Sequence, residues 1–273
     1  MEGSRGKGRR RFLKTAAGGL AGVVLITNAP PAVLRVLSVG SQPGAGPQAP
    51  ARTQEPGQGY HHWGFVVDTT KCIGCGKCVL ACKVENDVPM ESHYNRTWVE
   101  RYLVTEEGEV HVDSPEAGIH GFAEERFNQN HKGVRIVKSY FVPKLCNQCE
   151  NTPCIQVCPV GATYRTPDGV VLVDRQRCIG CRYCIQACPY GARFLDPRLR
   201  VADKCTWCYH RIQKGLRPAC VEACPVGARL FGDLNDPESP IRKLMAQERV
   251  AVLKPDLGTR PQVHYLGLEK YVR

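Results

Sequence analysis

The stretch that decides the fold is CIGCRYCIQACPYGAR, Cys178 to Arg193, whose cysteines follow one another at steps of three, three and four residues. The same steps recur in CIGCGKCVLAC, Cys72 to Cys82. Two further groups keep the first step of three and the last of four but widen the middle: Cys146, Cys149, Cys154 and Cys158, then Cys205, Cys208, Cys220 and Cys224. All sixteen cysteines of the 273 residues belong to these quartets. The phrase CPVGA, CPYGA, CPVGA follows three of them, an internal repeat that marks a duplicated unit; the first quartet instead reads CKVEN.

Loops at this spacing wrap three thiolates around one iron–sulfur cube, and Gly74 and Gly180 permit the tight backbone. The fourth cysteine sits about one helical turn beyond the third and points along a short helix, so it can serve a different cluster. Pro159, Pro189 and Pro225 end that helix where a missing N–H costs little, whereas after Cys82 the helix is expected to run on. Four-cysteine zinc is the ordinary reading of a C-x-x-C, and disulfides are the ordinary reading of many cysteines in an exported chain. Triplets at three-residue spacing with a Cys-Pro end favour iron–sulfur, and a zinc or disulfide scaffold that binds another protein stands as the reading from a different class.

The N-terminal GRRRFLKTAAGGLAGVVLIT, Gly8 to Thr27, resembles a twin-arginine signal peptide in its Arg9–Arg10 pair and Gly/Ala-softened apolar run. Thr15 to Ile26 is shorter than the ~20 residues of a membrane span, and extending it crosses Pro30 and Pro31 before Arg35. TNA at Thr27 to Ala29 is an imperfect cleavage site, so removal or retention as an anchor stays open. Residues 1–38 are thus assigned to the signal, and 39–59, rich in Pro, Gly, Ala and Gln, to a flexible tether. Of the formal charge of +11, the body beyond Gly44 carries +5, scattered without a continuous stripe. A nucleic-acid surface is not indicated.

The blocks DTTKCIGCGKCVLACKVEN, PKLCNQCENTPCIQVCPVGATY, DRQRCIGCRYCIQACPYGAR and DKCTWCYHRIQKGLRPACVEACPVGAR resemble the four-cluster ferredoxin-like subunits of complex iron–sulfur molybdoenzymes, among them the dimethyl sulfoxide, polysulfide, tetrathionate and formate systems. The resemblance covers about Tyr60 to Phe231. It implies an α+β fold of two pseudo-symmetric two-cluster ferredoxin-like units with loop insertions, and four [4Fe-4S] clusters ligated in a crossed pattern. Cys72, Cys75 and Cys78 would share cluster A with Cys224; Cys205, Cys208 and Cys220 would share B with Cys82. Cys146, Cys149 and Cys154 would share C with Cys188; Cys178, Cys181 and Cys184 would share D with Cys158. The outer unit would span residues 60–139 and 198–235 with an insertion near 97–139, the inner unit 140–197, and a C-terminal extension 236–273. The resemblance further implies a molybdopterin-containing catalytic subunit and a membrane quinone-interacting subunit as partners, and the twin-arginine resemblance a place at the outer face of the cytoplasmic membrane. The corresponding subunit of a periplasmic hydrogenase or a sulfur-metabolism transmembrane complex is the alternative within that class.

Gly169 to Asp174 after the turn PDG reads as a strand, and TWVERYLVTEEGEVHV as a hairpin around Glu106 to Gly108. The polar Asp113 to Lys132 reads as an insertion facing a partner or solvent. No dinucleotide fingerprint, Ser/His/Asp set or room for molybdopterin is present, so the chain is expected to conduct electrons rather than to catalyse. Each cubane with four thiolates carries about −2 when oxidised, so Lys71, Lys77, Arg182, Arg193 and Lys204, close in sequence to ligands, are the candidate counter-charges. His61 and His62 beside Trp63 invite a metal reading, against which a surface or packing role is the plainer one.

Overall fold

WGFVVD, Trp63 to Asp68, is apolar without alternation, the pattern of a strand covered on both faces. In the computed structural model, which describes residues 61–122 and 133–272, Phe65, Val66 and Val67 of this strand are fully buried. The twin-arginine stretch, the tether and residues 123–132 lie outside the described residues.

Along the chain the elements are β1 (Trp63–Asp68), α1 (Lys77–Glu85), β2 (Thr97–Thr105), β3 (Val110–Asp113), β4 (Ile136–Leu145), α2 (Pro153–Gln156), β5 (Thr163–Arg165), β6 (Val171–Val173) and α3 (Tyr183–Gln186). There follow β7 (Arg193–Leu195), β8 (Ala202–Lys204), α4 (Tyr209–Ile212), α5 (Ala219–Glu222), β9 (Arg229–Asp233), α6 (Pro240–Gln247), β10 (Val250–Ala251) and β11 (Val263–Leu266). Helices and strands mix as an α+β fold requires.

The main sheet has the order β10–β11–β1–β9, with β1 parallel to β11 and antiparallel to β9. Alternation along β1 divides its side chains. Phe65 and Val67 join Trp207, Val263 and Tyr265 in the large core, while Val66 packs with Ile241 of α6 and with Leu266. The stretch set aside as a C-terminal extension is therefore part of the sheet: β11 gives β1 its parallel neighbour and α6 covers the second face. Burial on that scale, not local propensity, holds so short a strand in place.

The expected hairpin is β2–β3, with Leu103 opposite His111. β4 pairs with the other edge of β2, making a sheet ordered β3–β2–β4. β4 runs unbroken through residues 139 and 140, so the insertion leads directly into the second quartet. The described part of Asp113 to Lys132 packs on the first quartet rather than standing away from the body. Gly76 leaves room for the backbone carbonyl of Gly118, and Phe122 lies against Phe141, which covers Gly74. Its largely polar composition hid this, because the packing rests on only a few apolar residues, Ala117, Ile119 and Phe122.

The predicted strand Gly169 to Asp174 forms as β6, paired with β5, and β7 pairs with β8 in a second small hairpin. The first quartet's helix does run on: α1 has nine residues, whereas α2, α3 and α5, which carry the other quartets' third cysteines, have four each. α1 packs on α5 and α2 on α3. Among the described residues no helix is long and apolar enough to cross a membrane.

Tyr265 has none of its surface exposed and joins the core from β11. Tyr265→Ala is expected to cost about 3–5 kcal/mol, lowering the melting temperature by on the order of 10 °C. Val112→Ala, at a half-exposed position of edge strand β3, should change stability by less than about 0.5 kcal/mol in the same thermal melts.

Candidate metal centres

Each quartet begins with the same backbone device. The second residue after the first cysteine is left-handed in all four: Gly74 (φ +69°), Gln148 (+47°), Gly180 (+68°) and Trp207 (+53°). At Gly74 and Gly180 the missing Cβ makes this free, as their identity foretold. At Gln148 and Trp207 it costs on the order of 1 kcal/mol, and the side chains offset that. The Gln148 amide donates to the carbonyl of Cys205 at 2.8 Å and accepts from the N–H of Val171 at 2.8 Å. Trp207 is buried between Phe65 and Phe231.

The helix pairs then gather cysteines from distant parts of the chain. Cys72, Cys75, Cys78 and Cys224 line one void together with Val99, Pro143 and Arg229. Cys82, Cys205, Cys208 and Cys220 line a second with Asn86, Arg96 and Trp207. Cys146, Cys149, Cys154 and Cys188 lie close enough to act on one another electrostatically. Of the remaining four, Cys178 and Cys184 pack beside Cys154 in a small core, Cys181 is exposed, and Cys158 is half-buried. Burial opposes ionisation of Cys158, but N–H groups of Thr163, Val160 and Ala162 face its sulfur and leave its pKa lowered.

These surroundings fit iron–sulfur clusters. All sixteen thiols are unpaired, so no disulfide framework forms. Among the described residues no three of His, Cys, Asp and Glu converge closely enough for one metal ion; the sulfurs stand around a space, unlike a tetrahedral zinc site with sulfur at about 2.3 Å. Burial pushes the thiols of Cys72, Cys154 and Cys220 up to about 11 and that of Cys149 up to about 12. Without metal they remain protonated and neutral near pH 7, and ligation must displace those protons. Hydrogen-bond donors already face the sulfurs: the N–H of Ala228 on Cys224 at 3.2 Å, of Trp207 on Cys205 at 3.4 Å and of Ala202 on Cys178 at 3.4 Å. The Asn86 amide donates to Cys208 Sγ at 3.5 Å and approaches Cys82 Sγ at 3.7 Å. Its orientation is set from behind, because Arg96 donates to Asn86 Oδ1 at 2.9 Å while gripping Asp203 with Nε and Nη2 at 3.0 and 2.8 Å. Such donors lower the basicity of the sulfurs and raise a bound cluster's reduction potential.

Of the five cations nominated from the sequence, Arg193 and Lys204 are buried, whereas Lys77 and Arg182 are exposed and the half-exposed Lys71 pairs with Asp68 at 3.0 Å. Neighbourhood in sequence misled there. In a tight ligand loop the side chains between inward-pointing cysteines face water. Lys204 Nζ donates to the carbonyls of Val171 and Cys205, at 2.5 and 2.8 Å. Other buried cations were missed, among them Arg96, Arg229 and Lys83. Arg229 had a legible signal, since it holds the place in CPVGAR that Arg193 holds in CPYGAR; Arg96 had none. The histidine pair takes the packing role. His61 bonds Asp233 at 2.6 Å and stacks on Trp63, and His62 meets Gln262 at 3.0 Å.

The description "4Fe-4S dicluster domain" matches residues 71–162 and, in a second form, residues 137–234. The protein is 42% identical over 225 residues to the B subunit of tetrathionate reductase from Salmonella typhimurium, an alignment that covers 82% of this sequence and 78% of that one. It is 38% identical over 237 residues to the B subunit of selenate reductase from Mesobacillus selenatarsenatis, covering 75% and 71%. The B polypeptide of polysulfide reductase from Wolinella succinogenes is 37% identical over 202 residues, covering 74% and 92%.

Both Gly180 and Gly161 have a left-handed backbone, so alanine adds backbone strain at each, but only at Gly180 does a Cβ also collide, with the carbonyl oxygen of Arg200; at Gly161 it meets nothing within 4 Å. Iron analysis after anaerobic purification should show Gly180→Ala losing iron from the third quartet, with Gly161→Ala retaining the wild-type content.

Proposed function

Because the protein belongs to the family of iron–sulfur B subunits of tetrathionate, dimethyl sulfoxide and polysulfide reductases, we propose that its sixteen cysteines hold four [4Fe-4S] clusters in crossed sets and that it conducts electrons between two partner proteins. A cluster of this type, once bound, takes up and releases single electrons. The observation that carries the reading is the gathering of fourth cysteines with distant triplets, above all Cys224 with Cys72, Cys75 and Cys78, and Cys82 with Cys205, Cys208 and Cys220. The matched packing of α1 on α5 and α2 on α3 supports two related two-cluster units.

The residues supply insulation, counter-charge and an order. Cys205 and Cys146 lie close enough to interact, and Gln148 and Lys204 both bond the Cys205 carbonyl, which supports the series A, B, C, D. At one end Ile73 is exposed beside Cys72; at the other Cys181 is itself exposed, flanked by the exposed Ile179 and Tyr183. Docking at the two ends suits a molybdopterin-containing catalytic subunit and a membrane quinone-interacting subunit. The twin-arginine resemblance of Gly8 to Thr27 supports export to the outer face of the cytoplasmic membrane. Cubane clusters are inserted in a reducing cytosol, and a route that carries folded protein reconciles cluster-binding cysteines with export.

Anaerobically purified protein should contain about sixteen irons and as many sulfides per molecule; colourless protein containing zinc refutes the reading. In electron paramagnetic resonance of the reduced protein, Cys224→Ser should perturb the cluster of Cys72, Cys75 and Cys78. Perturbation instead of the cluster of Cys205, Cys208 and Cys220 would refute the crossed sets.

A further inference from the structure

Two buried arginines stand where the halves of each cysteine pair meet. Arg229 opens β9 five residues after Cys224, and only 2% of its surface is exposed. Its Nη2 donates to Thr97 Oγ1 at 2.8 Å, while Nε and Nη1 have no hydrogen-bond partner among the described residues. Facing the guanidinium are Cys78 and Cys72 of one set, Cys220 of the other, and Tyr265 of β11. Arg193 repeats the arrangement five residues after Cys188. Its surface is 5% exposed, Nη1 donates to Thr163 Oγ1 at 3.3 Å, and Nε and Nη2 lack partners among the described residues. Facing it are Cys154 and Cys146 of one set and Cys184 of the other.

A buried guanidinium without a counter-ion is costly, and idle N–H groups add to that cost. Arg96 avoids the problem through Asp203. Among the described residues no carboxylate pairs with Arg229 or Arg193, and both sit at the same repeat position. Chance packing does not account for two such arginines in register; a negative group that both half-sites provide does.

We propose that Arg229 and Arg193 are positioning residues, each shared by two neighbouring cluster sites, whose free N–H groups turn to the ligand sulfurs of both and raise both reduction potentials. A single electron arriving on either side of the joint adds one negative charge. The shared guanidinium stabilises that charge on both sides, so the step across the pair stays close to level. This inference rests on the ligand sets proposed above.

The test is a redox titration of the iron-loaded full-length protein followed by electron paramagnetic resonance, with the outer pair's signals assigned through Cys224→Ser. Arg229→Met should lower the midpoints of clusters A and B, each by at least about tenfold in the reduction equilibrium, 59 mV for one electron, and leave C and D unmoved. Arg193→Met should do the reverse. Arg229→Lys, which keeps a charge but loses the fork, should shift A and B downward by less. Full iron content with unmoved potentials, or equal shifts of all four centres, overturns the proposal. Should Arg229→Met lose iron, wild-type potentials in iron-replete Arg229→Lys overturn it equally. Wild-type protein without iron–sulfur signals would overturn the ligand sets and, with them, the arginine role.

Discussion

Everything else in this fold follows from laying short cysteine-bearing helices from distant parts of the chain side by side. α1 carries Cys78 and Cys82, and α5 carries Cys220; nearly 140 residues separate them in sequence, yet they pack directly. A helix of four residues has no independent stability. These helices exist because of the sheet behind them: β9 returns from Cys224 to pair with one edge of β1, and β11 pairs with the other. The loops between quartets are thereby constrained at both ends, and the second and third quartets are held by their own helix pair, α2 on α3.

Charge is the second organising term. A body that brings sixteen cysteine thiols into a few small spaces must also bring cations out of water, and it does so selectively. Lys77 and Arg182, inside the ligand loops, remain solvated, while Arg96, Arg193, Lys204 and Arg229 are buried from strands or their approaches and Lys83 from α1. The difference is mechanical. A strand residue's direction is set by the ladder, so a long cationic side chain can be aimed at a neighbouring site with little rotamer freedom left to settle. Arg96 shows how far this extends: its grip on Asp203 leaves one nitrogen to fix Asn86, and Asn86 in turn presents its N–H to sulfur.

Much of the site was legible in sequence because ligand spacing is a local property. Steps of three and four residues, the Cys-Pro helix stops and the glycines at 74 and 180 all act within one loop, where the chain itself transmits the geometry. The turn PDG and the alternation from Thr97 announced their hairpins for the same reason. The left-handed backbone at Gln148 and Trp207 was not legible: neither residue type favours it, and tertiary contacts, an amide bridge in one case and a buried indole in the other, compensate for the strain. Nor was the role of residues 236–273, whose strand β11 finds its partner across about 200 residues.

The amino-acid sequence by itself determined the number and spacing of the cysteines, the repeat that makes them four quartets, and the local turns that present them, because each depends on residues a few positions apart. The tertiary structure alone decided which distant cysteines share a void, which cations are buried among them, and that β11 near the C-terminus pairs with β1. Those outcomes depend on burial and on pairing between segments far apart in the chain, where no local pattern carries the register.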